Sequence, residues 1–492
     1  MAVILGIDLG TSSVKAMLFD TDYGVLDFAA KNYEVDFPAA NCAEQSPDVW
    51  WHATVDILLQ LQQRQRQAYD SVNAIGFSGQ MHGLVVVDPF GNPLRPAIIW
   101  LDQRSNSQLE KINKTIKQED IANVLHNRPF TGFAFPSLLW IFENEKDVFS
   151  KIYKILMPKD YIRFKITGEF GTDVSDASSS TAFNVAKREW AWDIIDQMNL
   201  PNSIFPECHE AIEIAGTVTK KCSEETGLPE GIPVIYGAGD QPAHSIGTGV
   251  VKEGLIVSNI GTGGEISAYS KTDKFDSQMR IHTFCHAFDH AYTIFGAHLC
   301  SGMSLKWLKN QVLHIDDFGV LDRMAEKTPA GSDGLIYLPY LAGSRTPQMD
   351  AKAKGLFFGM KLNHERRHFV RAVMEGVAYD LKESLDIFDK LDISYNKIIA
   401  CGGGAASSVW LQIQADIFGR SVQVCKEKEQ ACLGACILAG VGTGLLANVQ
   451  EACDQYVSLE DKCYIPIENN KEQYLENYEK YKKLYGRVSD LF

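Results

Sequence analysis

The sequence predicts a two-domain α/β protein with a cleft between its halves. Three observations carry this expectation. The chain has 492 residues, too many for one compact core of ordinary size, so it should divide. Strand signals and helix signals alternate along it, as in an α/β architecture. The opening stretch LGIDLGTSSVKAMLFD also has an echo in GLIVSNIGTGGEISAYS at 254–270: an apolar strand, a Gly-Thr turn with small residues, then a second strand. That echo points to two similar halves, each starting on such a hairpin. The expected domains are 1–246 and 247–492.

The elements follow in order. In AEQSPDVWWHATVDILLQLQQ, Ser46 reads as an N-cap with Pro47 at the first helical position, and Trp51, Val55, Leu58 and Leu59 recur at helical spacing. VNAIGFSGQMHGLVVVDPFGNPLRPAIIW reads as strand, irregular loop, strand, turn at Pro89 to Asn92, strand. A strand at Val234 to Tyr236 runs through Gly237, Ala238 and Gly239 into Asp240, after which a helix can begin. NHERRHFVRAVMEGVAYDLKESLDIF is a second long helix with Phe369, Val373, Val377 and Leu381 on one face. KIIACGGGAASSVWLQIQADIFG reads as strand, Gly402 to Gly404, helix, and Tyr474, Tyr478, Tyr481 and Tyr485 form a docking stripe on a last helix.

Composition excludes several functions. With 47 basic and 62 acidic residues the net charge is −15 and no Lys/Arg run stands out, so nucleic acid and anionic membrane surfaces are not expected partners. No positive segment precedes the first apolar stretch, and Asp8 breaks that stretch too early for a signal peptide. No apolar run approaches the roughly twenty residues of a membrane span. Eleven cysteines without a CxxC pair argue for reduced thiols, and a cytoplasmic location is expected. Cys432 and Cys436, four apart among small apolar residues, read as packing. His282, His286 and His290 have a ligand-like spacing, but their strand–turn–strand pattern should splay them, so no metal is expected there.

Four places could carry chemistry. A Gly/Ser/Thr turn between two strands directs N–H groups and hydroxyls into one small volume suited to phosphate oxygens. Gly10, Thr11, Ser12 and Ser13 make one such turn, Gly261, Thr262 and Gly263 a second; a plain hairpin remains the alternative for either alone. Asp8 inside an apolar strand needs a partner or a cation; it reads as a turn-capping Asp or as a group that orients Mg²⁺. Asp240 reads as an N-cap or as a catalytic base, with the glycines before it letting substrate approach. Gly402 to Gly404 could carry a flat ring or ribose, with Ser407 or Ser408 bonded to it, or form only a tight connection. His82 in QMHG, by itself, reads as a satisfied loop histidine.

Taken together, GIDLGTSSVKAMLFD, GFSGQMHGLVVVD, MPKDYIRFKITGEF, TDVSDASS, GAGDQP, FCHAF, YLPYLAGSRTP, KGLFFG and CGGGAASSVWLQIQADIFG resemble, in this order over nearly the whole chain, the FGGY carbohydrate kinases of the actin-like ATPase superfamily. The resemblance implies two RNase H-like domains around a catalytic cleft, with ATP and Mg²⁺ as cofactors and a small-molecule sugar as acceptor. It implies Asp240 as the base and Asp8 with Asp240 near the metal. Gly10 to Ser13 with Lys15, and Gly261 to Gly263, would hold phosphates. Gly403, Gly404, Ser407, Gly302 and Lys306 would lie at the nucleotide, and Gln80, Met81, His82, Asp240 and Gln241 at the sugar. QMHG and FCHAF are similar to members that convert D-xylulose to D-xylulose 5-phosphate; D-gluconate or L-ribulose as acceptor, or a non-catalytic sensor, are the alternatives. The chain departs from the family's pattern at Ser137 (usually Lys), Ser344 (often Glu), Gly263 (often Ser) and Ala406. The acidic surface and tyrosine-lined last helix are compatible with a homodimer.

Overall fold

The computed structural model describes residues 2–492. Fourteen strands that matter here form two sheets. The first contains Val3–Leu9 (β1), Ser13–Asp20 (β2), Gly24–Asn32 (β3), Val72–Gly79 (β4), Ile214–Thr217 (β5), Pro233–Ile235 (β6) and Ala238–Gly239 (β7). The second contains Gly254–Ile260 (β8), Gly264–Ser270 (β9), His282–Cys285 (β10), Tyr292–His298 (β11), Tyr395–Cys401 (β12), Ser421–Cys425 (β13) and Leu459–Tyr464 (β14). The helices used below are Pro47–Arg64 (α1), Ala134–Asn144 (α2), Pro158–Thr167 (α3), Val174–Ser179 (α4), Asp240–Gly247 (α5), Gly302–Trp307 (α6), Arg366–Lys390 (α7), Ser408–Phe418 (α8), Gln430–Gly442 (α9) and Glu468–Val488 (α10).

The echo between the two halves is a topological repeat. The first sheet runs β5-β6-β4-β1-β2-β3 and the second β14-β13-β12-β8-β9-β11-β10. In each, the opening hairpin is antiparallel, its first strand pairs in parallel with a later strand, and the far edge turns antiparallel. These are two mixed α/β domains of the RNase H-like, actin-like kind. The hairpin turns thus occupy equivalent places, Asp8 corresponding to Asn259 and Gly10 to Gly261.

Alternation along the strands decides which helix covers which face. On one side of the first sheet, Leu5, Ile7 and Leu9 pack with Trp50, Ile57 and Leu61 of α1 and Ile162 of α3. On the other, Ile4, Met17 and Ala74 meet Ile246 of α5 and Cys436 and Ile437 of α9. Although α9 comes late in the chain, it lies against the first sheet so closely that a Cβ at Gly76 would stand 2.1 Å from the Ala435 carbonyl oxygen. Only glycine admits that approach. Cys432 and Cys436 are buried here as packing groups, and the described cysteines are all free thiols.

Three local expectations are refined. Ser46 sits at the N-cap of α1 with Pro47 first in the helix, yet the serine side chain makes no cap bond. The buried face of α1 is Trp50, Trp51, Ala53, Thr54, Ile57, Leu58 and Leu61, so Val55 and Leu59 lie at its edge. The tyrosine stripe of α10 docks within the chain: Tyr474, Tyr478 and Tyr481 are buried around Tyr379 of α7, and Tyr474 donates to Glu375. That face is therefore not free for a second copy. Among the described residues, no helix is long and apolar enough to cross a membrane.

Candidate active site

Asp8, Ser78 and Ala238 stand side by side at the carboxyl ends of β1, β4 and β7, where open α/β sheets place their ligands. Ser78 Oγ donates to Asp8 Oδ1 at 2.8 Å, and Asp8 is only 8% exposed. Burial and, to a smaller degree, the charge of Glu429 raise its pKa, against the Ser78 hydrogen bond and Lys15. Gly239 leads directly into Asp240, the first residue of α5, so this second carboxylate faces the same volume. Asp240 is pushed well above the usual carboxylate range by burial and by the charges of Asp8, Glu265 and Asp176, with the Gln241 N–H pulling the other way. A pocket that crowds carboxylates in this manner calls for cations or for protons.

The glycines before Asp240 serve the protein. Gly237 has φ +75°, and a Cβ there would lie 2.6 Å from the Phe77 carbonyl oxygen; one at Gly239 would lie 2.6 Å from Met81 Cγ. They let the strand end fold tightly, and with that set Asp240 in the cleft, rather than clearing a path for substrate. The Gly239 N–H is fixed by Ser175 Oγ of α4 at 3.0 Å.

Both hairpin turns are built on one plan. In the first, Tyr33 OH donates to the Gly10 carbonyl, Gln45 to the Thr11 carbonyl, the Tyr33 N–H to Ser12 and the Gly10 N–H to Ser13. Every carbonyl is turned back into the protein, while the Thr11 and Ser12 N–H groups have no protein acceptor among the described residues. In the second, the Gly302 N–H donates to the Gly261 carbonyl at 3.0 Å and the Met303 N–H to Thr262 at 3.0 Å, leaving the Thr262 and Gly263 N–H groups open. Gly302 thus docks the start of α6 on the turn, and a Cβ on it would meet the Gly261 oxygen at 2.2 Å. Exposed Lys306 follows on the same helix, without an ion pair among the described residues. Two turns with bonded carbonyls and open amides form paired anion cradles.

The third glycine cluster separates into structural and open positions. Gly402 has φ +73° and, like Gly404, packs on β8, where a Cβ would come within 2.7 Å of Asn259 or Ile260 atoms. At Gly403 the nearest atom to a Cβ is 3.9 Å away, so this residue presents a bare, exposed backbone face. Ser407 uses its hydroxyl locally, accepting from the Trp410 N–H and donating to Asp322 Oδ1 at 2.7 Å. The cleft beside Asp8, Lys15, Asn259, Gly402 and Ala406 encloses ≈ 550 Å³.

Beside Gly239, the structure brings Met81 and His82 together with groups from both halves. Met81 is buried with Phe284 and Phe295. His82 has φ +73° and stacks on Phe133 at 3.9 Å, its Nδ1 2.9 Å from the Ser179 carbonyl. That carbonyl can only accept, so Nδ1 carries the proton and Nε2 is left as an acceptor. Burial, with Arg345 assisting against the Ser179 bond, lowers the His82 pKa to about 3. Gln80 is buried behind the first turn, donating to Gln45 Oε1 at 3.1 Å. Lys15 forms an ion pair with Glu429 at 2.6 Å, and Gln241 bonds Glu265 across the two halves.

Several residues here carry no sequence signal strong enough to single them out. Glu265 lines the cleft with its pKa pushed up to about 7 by burial. Lys159, fully buried, joins Asp160, Asp173 and Asp176 at 2.7, 2.8 and 3.1 Å and so holds together the start of α4, which supports both Gly239 and His82. His282 lies on Phe284, and Asn127 pairs with Thr283 through both its side-chain groups. Arg345 stands over Phe130. His282 stands in the spaced histidine series, and Arg345, Lys159, Asp173, Asp176 and Glu265 stand inside quoted motifs, but only the fold shows what each of them faces; Asn127 and Phe130 lie outside every motif.

Known proteins match this architecture throughout. The model for the N-terminal domain of the FGGY family of carbohydrate kinases matches residues 3–247, and that for its C-terminal domain matches 257–443. A xylulose kinase of Staphylococcus xylosus is 33% identical over 485 residues, covering 99% of this chain and 100% of its own. A gluconokinase of Bacillus subtilis is 30% identical, covering 96% of this chain and 93% of its own. The crystal structure of a xylulose kinase from Rhodospirillum rubrum superposes with a TM-score of 0.93 at 27% identity, over 99% of both chains. With both family models matched and two actin-like domains closing on paired anion cradles, this chain belongs to the FGGY family of carbohydrate kinases.

Proposed function

We propose that the protein transfers the γ-phosphoryl group of ATP to D-xylulose, giving D-xylulose 5-phosphate and ADP. The observation that carries the chemistry is that Asp240 lies within electrostatic reach of Asp8 and Glu265, which flank two turns whose amides are open while their carbonyls are bonded. Phosphoryl transfer asks the protein mainly for positioning and charge neutralisation, with a base at the attacking hydroxyl. The Thr11, Ser12, Thr262 and Gly263 amides hold phosphate oxygens, and Gly403 lies against the adenosine. Asp240 accepts the proton of the acceptor hydroxyl, and burial with the neighbouring carboxylates raises its affinity for that proton.

Asp8 and Asp240 are the residues that would hold Mg²⁺, which supplies charge neutralisation at the phosphate oxygens. The fit rests on two buried carboxylates, Asp8 raising the proton affinity of Asp240 beside it, while Lys15, the cation nearest Asp8, is already paired with Glu429. No cage of three or more His, Cys, Asp or Glu exists among the described residues, which suits an ion carried by phosphates and water with few protein ligands.

D-xylulose as the acceptor is supported by the run of xylulose kinases among the relatives and by the Met81–His82 loop. The free thiols fit a cytoplasmic setting. Coupled ADP release with Mg²⁺ and ATP, measured on D-xylulose, L-xylulose, D-ribulose, L-ribulose, D-gluconate and glycerol, tests the proposal. The highest kcat/KM is expected on D-xylulose; a higher value on any other acceptor refutes the substrate assignment.

A further inference from the structure

Arginine is rarely taken out of water without a carboxylate or a set of carbonyls to receive its five donors. Arg345, withdrawn from solvent in part, has neither. It follows Ser344 in AGSRTP, comes from the second half of the chain, and has no ion pair and no side-chain hydrogen bond among the described residues. Its guanidinium carbon lies 5.6 Å from the centre of the Phe130 ring. Phe130 continues through Phe133, at 5.7 Å, to His82, and reaches His282 at 6.0 Å. Both histidines feel the Arg345 charge, and both are held neutral. Burial alone shifts Arg345, with no neighbouring carboxylate opposing it. At 344, where the family's pattern often has glutamate, this chain has a serine whose hydroxyl donates only to the Arg345 carbonyl.

The groups around this cation are therefore aromatic faces and neutral imidazoles, and its donors point at no protein oxygen. His82 contributes an unprotonated Nε2 to the same space. We propose that Arg345 is a specificity-determining residue for the acceptor, its planar fork donating to the two neighbouring oxygens of an α-hydroxyketone, the C1 hydroxyl and C2 carbonyl, while Phe130 backs the guanidinium. The fork matches a pair of adjacent oxygens, and an aromatic floor keeps water from competing for it. An alditol, whose C2 oxygen is a tetrahedral hydroxyl, meets the fork less well. The inference rests on the proposed ketose acceptor and adds the group that selects it.

The test compares wild type, Arg345→Met and Arg345→Lys in coupled ADP release with D-xylulose and with xylitol, its C2-reduced counterpart. KM for ATP and the thermal midpoint, with and without D-xylulose, are recorded for each. For Arg345→Met, kcat/KM on D-xylulose should fall at least tenfold, mainly through KM. The value on xylitol should change by less than threefold, KM for ATP should hold, and the rise in midpoint with D-xylulose should vanish. Arg345→Lys should recover part of the preference. An equal fall on both acceptors, or no change on either, overturns the inference. If the wild type itself fails on D-xylulose but turns over D-gluconate, the proposed substrate is refuted separately. Arg345 is then judged by the same ratio on gluconate against sorbitol, with an unchanged ratio again overturning its role.

Discussion

Removing the charge of Glu265 should make the protein more stable at alkaline pH and shift the acid limb of catalysis at the same time. Burial lifts this carboxyl from its ordinary 4.5 to about 7, against hydrogen bonds from Asn259 and Gln241. The folded state therefore holds a proton that the unfolded chain has already released between those two values. Stability from this group is full below 4.5, falls as pH rises, and is lost above 7. At ~1.4 kcal/mol for each pH unit the gap corresponds to ~3 kcal/mol, and solvent reaching the carboxylate from the cleft brings the expected effect to ~1–3 kcal/mol. A glutamine at 265 can still accept both hydrogen bonds but cannot ionise. Denaturant unfolding of wild type and Glu265→Gln should give similar stabilities at pH 5 and a more stable variant at pH 8. Because Glu265 is also one of the charges raising Asp240, the acidic limb of kcat/KM should move to lower pH in the variant. Parallel stability curves, with an unmoved limb, would refute the electrostatic account of the cleft.

Two further substitutions separate the glycines by role. Gly403→Val, at a position with no protein atom closer than 3.9 Å to the added Cβ, should fold with a stability change within ~0.5 kcal/mol yet raise KM for ATP at least tenfold; an unchanged KM removes Gly403 from the adenosine site. Gly76→Val drives its side chain into the Ala435 carbonyl at 2.1 Å and should destabilise by at least ~3 kcal/mol, the upper end for overpacking, because backbone must move. A thermal midpoint equal to wild type would show that α9 does not pack on the first sheet as described.

Much of this was legible in the sequence because it rests on local rules. The Gly-Thr turns, the strand into Asp240 and the glycine cluster before α8 are each written in consecutive residues, and repetition at the head of the second half exposed the duplicated topology. The individual glycines could not be assigned. Whether Gly239 makes room for a sugar or for Met81, and whether Gly402 or Gly403 faces a ligand, depends on what stands opposite. Charge pairing was hidden for the same reason: Lys15 meets Glu429, and Lys159 meets Asp173 and Asp176, only through tertiary folding. The tyrosine stripe is legible as a docking face, and its partner is α7 of the same domain. His82 was the loop histidine expected from its motif, and the carbonyl that fixes its tautomer lies 97 residues away in sequence.

The most direct test of the account is the turnover of Asp240→Asn on D-xylulose with Mg²⁺ and ATP. The substitution keeps the size of the side chain and removes the proton acceptor, so kcat should fall by on the order of 10²- to 10⁴-fold, while the affinities for sugar and ATP stay within a few-fold of wild type. Turnover near the wild-type rate would contradict the assignment of Asp240 as the base on which the mechanism depends.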